Sequence, residues 1–240
     1  MGLRIAATGD VHSPKYLDLF GEALGRMGKV DLFLLAGDLV YKNDHTQLAP
    51  LLETLRKFHE GEVLACFGNE EYLQDREKYR KLKAPRWVED EAVIVEVRGT
   101  EVGVVGSQGS LSRPTYWQRT HLPGIAEIYE ERVKLLDRLL KELNTEVKVV
   151  LTHYAPTFAT VKGEDRESLP EIGNRKLEEV IARRQPDLWV HAHAHRASVL
   201  ETTMGRTLVV NASLPARREI YVTDLPRKSG LDTFLPQEVR

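Results

Sequence analysis

The chain has 240 residues, a length that accommodates one large domain or two small ones. Hydrophobic residues make up 42% of it and charged residues 29%, so the composition supports a packed core and excludes an intrinsically disordered chain. The 34 basic and 36 acidic residues nearly cancel, which excludes a strongly basic nucleic-acid-binding arm and an acidic tail.

Short, nearly continuous apolar runs predict β-strands that are buried on both faces. In chain order the predicted strands are Leu3–Ala7, Val30–Ala36, Val63–Phe67, Ala92–Arg98, Glu101–Val105, Val147–Thr152, Asp187–Val190, Thr207–Val210 and Ile220–Thr223. Between the fourth and fifth runs, the step Gly99-Thr100 predicts a hairpin.

Three stretches between the strands repeat apolar residues every three or four positions, which predicts amphipathic helices packed against a core. They extend from Leu48 to Phe58, from Ile125 to Leu143 and from Leu177 to Ile181. Helices alternate with the early strands, and a hairpin and a strand-rich C-terminal half follow. This order predicts an α/β fold of two mixed sheets that face each other, with the helices outside. Residues 1–240 contain no repeat or linker, so we expect a single domain.

Two segments lack a clear pattern. Ser107–Pro123 contains Tyr116, Trp117 and His121 without apolar periodicity, and we expect a long loop that forms one wall of a substrate site. Leu225–Arg240 contains two prolines, and we expect a surface strap or a frayed tail.

Cysteine content and hydropathy indicate the environment of the protein. Cys66 is the only cysteine, which excludes an intramolecular disulfide and a Cys-rich metal site, and its place in a predicted strand indicates an inert core thiol. No apolar run approaches the roughly 20 residues that span a bilayer. We therefore expect a soluble, cytoplasmic protein without a membrane partner.

Side chains that can bind metal ions follow five of the predicted strands. They are Asp10 and His12 after the first strand, Asp38 after the second, Asn69, Glu70 and Glu71 after the third, His153 after the sixth, and His191, His193 and His195 after the seventh. Because the carboxyl ends of neighbouring parallel strands meet at one sheet edge, we expect these side chains to converge. In an extended chain the three last histidines would share one face. Carboxylates and imidazoles brought together in this way would repel or stay unsatisfied without a cation.

These motifs resemble those of the calcineurin-like metallophosphoesterases. The family pattern is Asp-x-His, Gly-Asp, Gly-Asn-His-Asp/Glu, a histidine and Gly-His-x-His. The matching segments here are Gly9–His12, Gly37-Asp38, Gly68–Glu71, His153 and Ala192–His195. The resemblance implies a four-layer α-β-β-α sandwich and hydrolysis of phosphate esters.

The resemblance also implies ligands for two divalent metal ions. One ion would be bound by Asp10, His12 and His195, the other by Asn69, His153 and His193, with Asp38 bridging the two. A shared carboxylate offsets the repulsion between the cations, and a water or hydroxide bridging them can attack phosphorus in line. Oxygen and imidazole ligands without thiolate suit Mn, Fe, Zn, Co or Ni.

Two positions depart from the family pattern. Ala192 replaces the glycine before the paired histidines, a change that the turn tolerates unless it needs positive φ. Glu70 replaces a histidine that lies near the scissile phosphate in the family. One interpretation is that Glu70 points away and pairs with an arginine; another is that it lies beside the substrate and disfavours dianionic monoesters. A third is that His121 or His191 supplies the missing imidazole.

Three functions compete. The favoured one is a two-metal phosphoesterase acting on a small, nucleotide-like phosphodiester, with Asn69 and Glu70 in catalytic roles and His121 binding the substrate. A metal-dependent nuclease acting on DNA or RNA is less favoured, because the sequence has no evident basic face. A non-catalytic metal-binding scaffold for other proteins ranks last, because all seven ligand positions are retained. The sequence does not indicate an oligomeric state.

Overall fold

The computed structural model describes residues 2–226, so the prediction made for Leu225–Arg240 lies almost entirely outside the described residues. The strands are β1 (Leu3–Thr8), β2 (Leu32–Ala36), β3 (Glu62–Cys66), β4 (Arg86–Trp87), β5 (Glu91–Val97), β6 (Thr100–Ser107), β7 (Val147–Thr152), β8 (Leu188–His191), β9 (Glu201–Met204), β10 (Thr207–Asn211) and β11 (Tyr221–Leu225). The α-helices are α1 (Leu17–Met27), α2 (Leu48–Arg56), α3 (Arg76–Arg80), α4 (Tyr116–His121), α5 (Ile125–Glu142), α6 (Lys176–Arg184) and α7 (Leu214–Arg217). In this part of the chain, no helix combines the length and the apolar character needed to cross a membrane.

The strands form two mixed sheets. The first has the order β11-β1-β2-β3-β4, in which only the outer β11 is antiparallel to its neighbour among the described strands. The second has the order β5-β6-β7-β8-β10-β9, with a parallel centre and an antiparallel strand at each edge. The parallel strands of each sheet therefore share one carboxyl edge.

Alternate side chains of the strands face two different cores, because successive residues of a strand point to opposite faces of the sheet. In β2, Leu32 and Leu34 pack into the core between the two sheets, whereas Phe33 and Leu35 pack against α1 and α2. The second sheet repeats this arrangement, and its outer face packs against α5 and α6. This double burial explains the continuous apolar runs and confirms the predicted four-layer α-β-β-α sandwich.

The predicted hairpin is present as β5 and β6. Its two turn residues, Arg98 and Gly99, have φ angles of 53° and 78°. Positive φ at both positions is typical of the two-residue turn whose twist matches that of antiparallel strands.

Two sequence-based expectations were wrong. The 107–123 segment is not an irregular loop throughout, because it contains α4, whose start is closed by a capping box between Thr115 and Gln118. Its exposed Tyr116 and Trp117 give the helix no apolar stripe that a sequence pattern could reveal. The stripe from Leu48 also ends early: α2 stops at Arg56, and the Phe58 side chain is exposed rather than in the core.

Candidate metal centre and active site

The predicted ligands converge at the shared carboxyl edge of the two sheets. Four of them have left-handed backbone: Asp10 at φ 57°, His12 at 43°, Asp38 at 49° and His193 at 68°. Non-glycine residues rarely adopt this conformation, although asparagine, aspartate and histidine do so more often than others, and it costs about 1–3 kcal/mol where it occurs. The turns therefore direct each side chain off its strand end and towards the centre at a cost in stability.

Two groups of three side chains each offer ligand atoms that lie within 4.8 Å of one another. The first comprises Asp10, His12 and His195; Asp10 Oδ2 lies 3.3 Å from His195 Nε2, and the Nε2 atoms of the two histidines lie 3.5 Å apart. Asp10 Oδ2 also accepts the backbone N–H of His193 at 2.9 Å, which ties the two motifs together.

The second group comprises Asp38, His153 and His193. His153 Nε2 lies 3.1 Å from His193 Nδ1, 3.0 Å from Asn69 Oδ1 and 3.5 Å from Asp38 Oδ2. The structure thus brings Asn69 to this group, where the resemblance had assigned it.

Asp38 lies between the two groups. Its Oδ2 is 3.9 Å from His12 Nε2 of the first group and 3.5 Å from His153 Nε2 of the second. Its Oδ1 accepts the backbone N–H of Glu70 at 2.8 Å, which fixes the orientation of the carboxylate. Of the described side chains, this one has the position that a bridging ligand requires.

Burial sets the protonation of the imidazoles. It lowers the pKa of His12 to about 4 and that of His193 to about 3, and it also lowers the pKa of His153. These three rings are therefore neutral at pH 7 and keep a lone pair for a metal ion. Burial also acts to lower the pKa of His195, but the Asp10 carboxylate outweighs it and raises that pKa.

Burial acts to raise the pKa of both carboxylates, but their net shifts are opposite. Burial acts to raise the pKa of Asp10, but the neighbouring His195, His153 and His12 outweigh it and the pKa is lowered. For Asp38, burial and then the charge of Asp10 raise the pKa well above its usual range. A divalent cation between them would offset this repulsion.

The residues present fit two divalent cations. Asp10 Oδ1 is buried without a hydrogen-bond partner among the described residues, which is costly unless a cation satisfies it. His153 Nδ1 donates to the Ala36 carbonyl oxygen at 2.8 Å, which assigns the proton to Nδ1 and leaves the lone pair of Nε2 available for a metal ion. The ligand atoms are carboxylate, amide and imidazole atoms, a set that suits divalent cations.

Glu71 stabilises the two loops that carry Asp38 and Asn69, a role that was not predicted from the sequence. Its buried carboxylate accepts the backbone N–H groups of Asp38, Leu39, Val40 and Gly68 at 2.7–3.3 Å. Burial and the charge of Asp38 raise its pKa to about 7. The sequence feature that could have indicated this role is the position of Glu71 at the end of the Gly68–Glu71 motif.

Close packing explains the small residues around the ligands. A Cβ added to Gly68 would lie 2.1 Å from Asp38 Oδ1, so only glycine fits there. Ala192 is fully buried between the sheets, and the positive φ of this turn falls on His193 instead. Alanine therefore meets no strain at the position where the family has glycine.

The histidines at the end of β8 and in the turn after it do not share one face, contrary to expectation. His193 and His195 join different metal groups, whereas His191 is fully buried with Nε2 2.7 Å from Thr160 Oγ1. Burial lowers the pKa of His191 to about 4. His191 therefore belongs to neither metal group.

Of the two other predicted site residues, Glu70 lines a cleft beside the metal centre, whereas His121 does not. The Glu70 carboxylate accepts the backbone N–H of Lys42, and among residues 2–226 it forms no ion pair with an arginine. Its side chain lines a cleft beside the centre. His121 lies at the end of α4, stacks on Trp117 with ring centroids 4.8 Å apart, and is not among the residues lining that cleft.

The cleft measures about 510 Å³ and adjoins the second metal group. Asn69, Glu70 and His193 line it together with side chains from α4, α5 and the turn after β3. From the 107–123 segment, Trp117 and Leu122 contribute to the lining.

Comparisons with known proteins agree with this geometry. The family model for calcineurin-like phosphoesterases matches residues 3–197. A comparison with curated protein sequences found no match.

Solved structures show the same fold at low sequence identity. Phosphopantetheinyl hydrolase from Mycobacterium tuberculosis is 16% identical with a TM-score of 0.68, over 98% of this chain and 99% of that one. The protein TT1561 of Thermus thermophilus is 18% identical with a TM-score of 0.58, over 93% and 99% of the two chains. A putative 5′-nucleotidase from Staphylococcus aureus is 15% identical with a TM-score of 0.62, over 99% of this chain and 56% of that one. The family match spans most of the sequence and includes every predicted metal ligand: the chain belongs to the calcineurin-like phosphoesterase family.

Proposed function

We propose that this protein is a two-metal phosphoesterase that hydrolyses phosphodiester bonds of a small, nucleotide-like substrate. The position of Asp38 carries the proposal, because its Oδ2 lies within 4 Å of a ligand nitrogen from each metal group. A carboxylate shared in this way is what two neighbouring cations need to offset their repulsion.

The metal ions would be held by Asp10, His12 and His195 on one side, by Asn69, His153 and His193 on the other, and by Asp38 between them. When bound, such ions supply Lewis-acid polarisation of the phosphoryl oxygens and a nucleophilic water near neutral pH. The protein's own part is to hold neutral imidazoles and two carboxylates at fixed positions, so that no reorganisation is needed when charge develops.

Asn69 and Glu70 would be the catalytic residues nearest the substrate. Both lie in the turn after β3 and line the cleft together with His193 of the second metal group. The proposed role of Asn69 is to align a phosphoryl oxygen, and that of Glu70 is to select the charge state of the ester.

Preference for diesters follows from the charge of Glu70. A carboxylate in the cleft repels a dianionic monoester more than a monoanionic diester. Glu70 also cannot take over proton donation as a histidine would, so leaving groups that depart without protonation should react best.

The test uses protein that is stripped with a chelator and reloaded with Mn²⁺. We expect two bound ions per chain and hydrolysis of bis(p-nitrophenyl) phosphate at a higher kcat/KM than p-nitrophenyl phosphate. Asp38→Ala should lose both ions and at least 1,000-fold in kcat, because two cations would face each other without a shared anion. Asp18→Ala, on the exposed face of α1, is the matched control and should keep both. Wild-type protein that retains no metal and hydrolyses neither ester would refute the proposal.

A further inference from the structure

The cleft beside the metal centre has an unusually apolar exposed wall. Two segments supply it, the turn after β3 with Leu73 and the α4–α5 region with Trp117, Leu122, Ile125 and Ile128. The side chains of Leu73, Trp117 and Ile128 are 68%, 58% and 45% exposed. Large apolar side chains grouped around a concave site indicate a ligand surface rather than ordinary surface variation.

This wall is joined to the metal-binding residues. The buried Gln118 of α4 donates its Nε2–H to the hydroxyl of Tyr154 at 3.4 Å, and the Tyr154 ring packs 5.0 Å from the His193 ring. Gln108 also donates to the Tyr154 hydroxyl, at 3.3 Å, and to the Gly68 carbonyl oxygen next to Asn69, at 3.1 Å. The helix that carries Trp117 therefore contacts the residue next to His153, and Gln108 links that residue to the peptide next to Asn69.

The charges in the cleft do not favour a second anionic group. Among the described lining residues the arginines are Arg76 and Arg132, and each is already paired, Arg76 with Glu89 and Arg132 with Asp90. Glu70 adds an acidic side chain that has no cationic partner within residues 2–226. A further phosphate or carboxylate placed here would lose its hydration without gaining a free cation.

We propose that the cleft binds the second ester group of the phosphodiester, and that this group is uncharged and apolar, an alkyl or aromatic group. The inference rests on the proposed function and narrows its substrate class. The cleft is continuous with His193 and Asn69, so its occupant would lie next to the scissile phosphate. The apolar wall and the absence of an unpaired arginine in the described lining favour an uncharged, apolar occupant. A substrate with several phosphates would be excluded by the same charges.

The kinetic test varies only the second ester group. Mn²⁺-loaded protein is assayed with p-nitrophenyl phosphodiesters that carry a methyl, butyl, octyl or 3-carboxypropyl group. If each added methylene is about half-buried, kcat/KM should rise roughly twofold per methylene, or about eightfold from methyl to butyl. The 3-carboxypropyl ester matches the butyl ester in length and should react at least tenfold more slowly than it does.

Variants locate the effect in the cleft. Leu73→Ser and Trp117→Ser should each reduce the butyl-to-methyl ratio of kcat/KM to threefold or less. Tyr116→Ser is the matched control, because Tyr116 is 75% exposed on the same helix and is not among the residues lining the cleft. It should leave the ratio unchanged. Equal rates for methyl and butyl esters, or equal ratios in all variants, would overturn the inference and leave the phosphodiesterase function standing.

A binding measurement separates this inference from the proposed function. The neutral fluorophore N-phenyl-1-naphthylamine should bind to metal-free wild-type protein, and the neutral alcohol 1-octanol should displace it. Leu73→Ser and Trp117→Ser should weaken binding at least fivefold, whereas Tyr116→Ser should change it less than twofold. Failure to hydrolyse any diester would refute the proposed function, whereas failure to bind the fluorophore would refute the apolar cleft. Self-association in sedimentation that either cleft variant abolishes would assign the surface to a second copy and overturn the inference as well.

Discussion

The Glu71 carboxylate accepts the backbone N–H of Asp38 at 3.0 Å, so Glu71 fixes the backbone from which the Asp38 side chain extends. The same carboxylate also accepts the N–H groups of Leu39 and Val40 and, from the next turn, that of Gly68. These donors lie in two separate loops after β2 and β3. Glu71 therefore locks together the loops that carry Asp38 and Asn69.

Glu71→Gln should both destabilise the protein and weaken metal binding. The amide keeps one oxygen but places an NH₂ group against backbone N–H donors, which leaves buried donors unsatisfied. We expect a loss of about 2–4 kcal/mol in the free energy of unfolding, measured by urea denaturation in chelator. Mn²⁺ affinity should fall at least tenfold by titration. The exposed Glu77→Gln is the control, and a Glu71 variant as stable as that control would contradict the locking role.

Removal of metal should lower the melting temperature reversibly. Without cations, the buried carboxylates of Asp10 and Asp38 repel each other, which is the second cause of the raised pKa of Asp38. A ligand present at about 100 times its Kd stabilises the native state by about 2.7 kcal/mol, or roughly 5–10 °C for a domain of this size. Differential scanning calorimetry with EDTA, and then with excess Mn²⁺, measures the shift. An unchanged melting temperature would show that no metal binds to the folded state.

Glu70→Gln should shift specificity towards monoesters. Removing one negative charge from the cleft relieves a repulsion of roughly 3 kcal/mol before screening, at about 6 Å and an effective dielectric near 20. After screening we expect a severalfold rise in the monoester-to-diester ratio of kcat/KM. Glu70→His removes the same charge and adds a proton donor, so its shift should be larger. If both variants keep the wild-type ratio, the Lys42 backbone contact is the main role of Glu70.

His121→Ala should change kcat/KM less than twofold. The His121 ring stacks on Trp117, and its Nδ1 lies 2.9 Å from the Trp117 carbonyl oxygen, so the imidazole is held by its own helix. Steady-state kinetics on bis(p-nitrophenyl) phosphate measures the effect. A tenfold rise in KM would instead support the sequence-based assignment of His121 to substrate binding.

Cys66 should not react in the native protein. Its side chain is fully buried, and burial, followed by the charge of Glu71, raises the pKa of the thiol well above its usual range. The unreactive thiol therefore predominates at pH 8. We expect no labelling by 5,5′-dithiobis(2-nitrobenzoic acid) at that pH and one thiol per chain after unfolding in guanidinium. Rapid stoichiometric labelling of native protein would contradict this.

The sandwich and the metal ligands could be predicted because their signals are local. An apolar run such as Leu32–Ala36 reveals a strand buried on both faces, and a glycine followed by Asp38 reveals a sharp turn at its end. Parallel strands must share a carboxyl edge, so five such strand ends already imply one site. Resemblance to a known family then supplied the pairing of ligands into two groups.

Tertiary contacts decided the rest, because a side chain's role depends on what faces it. His191 and His193 stand two residues apart, yet one faces Thr160 and the other the metal centre, since the backbone turns at His193. α4 is stabilised by its capping box and by the contact of Gln118 with Tyr154, and neither leaves an apolar stripe in the sequence. In the sequence, Glu71 is one of two adjacent acidic residues with no distinguishing feature. Its role depends on the N–H donors of two loops, which surround it only in the folded chain. Short-range patterns report which residues are buried and where strands end, whereas partners distant in sequence exist only once the chain has folded.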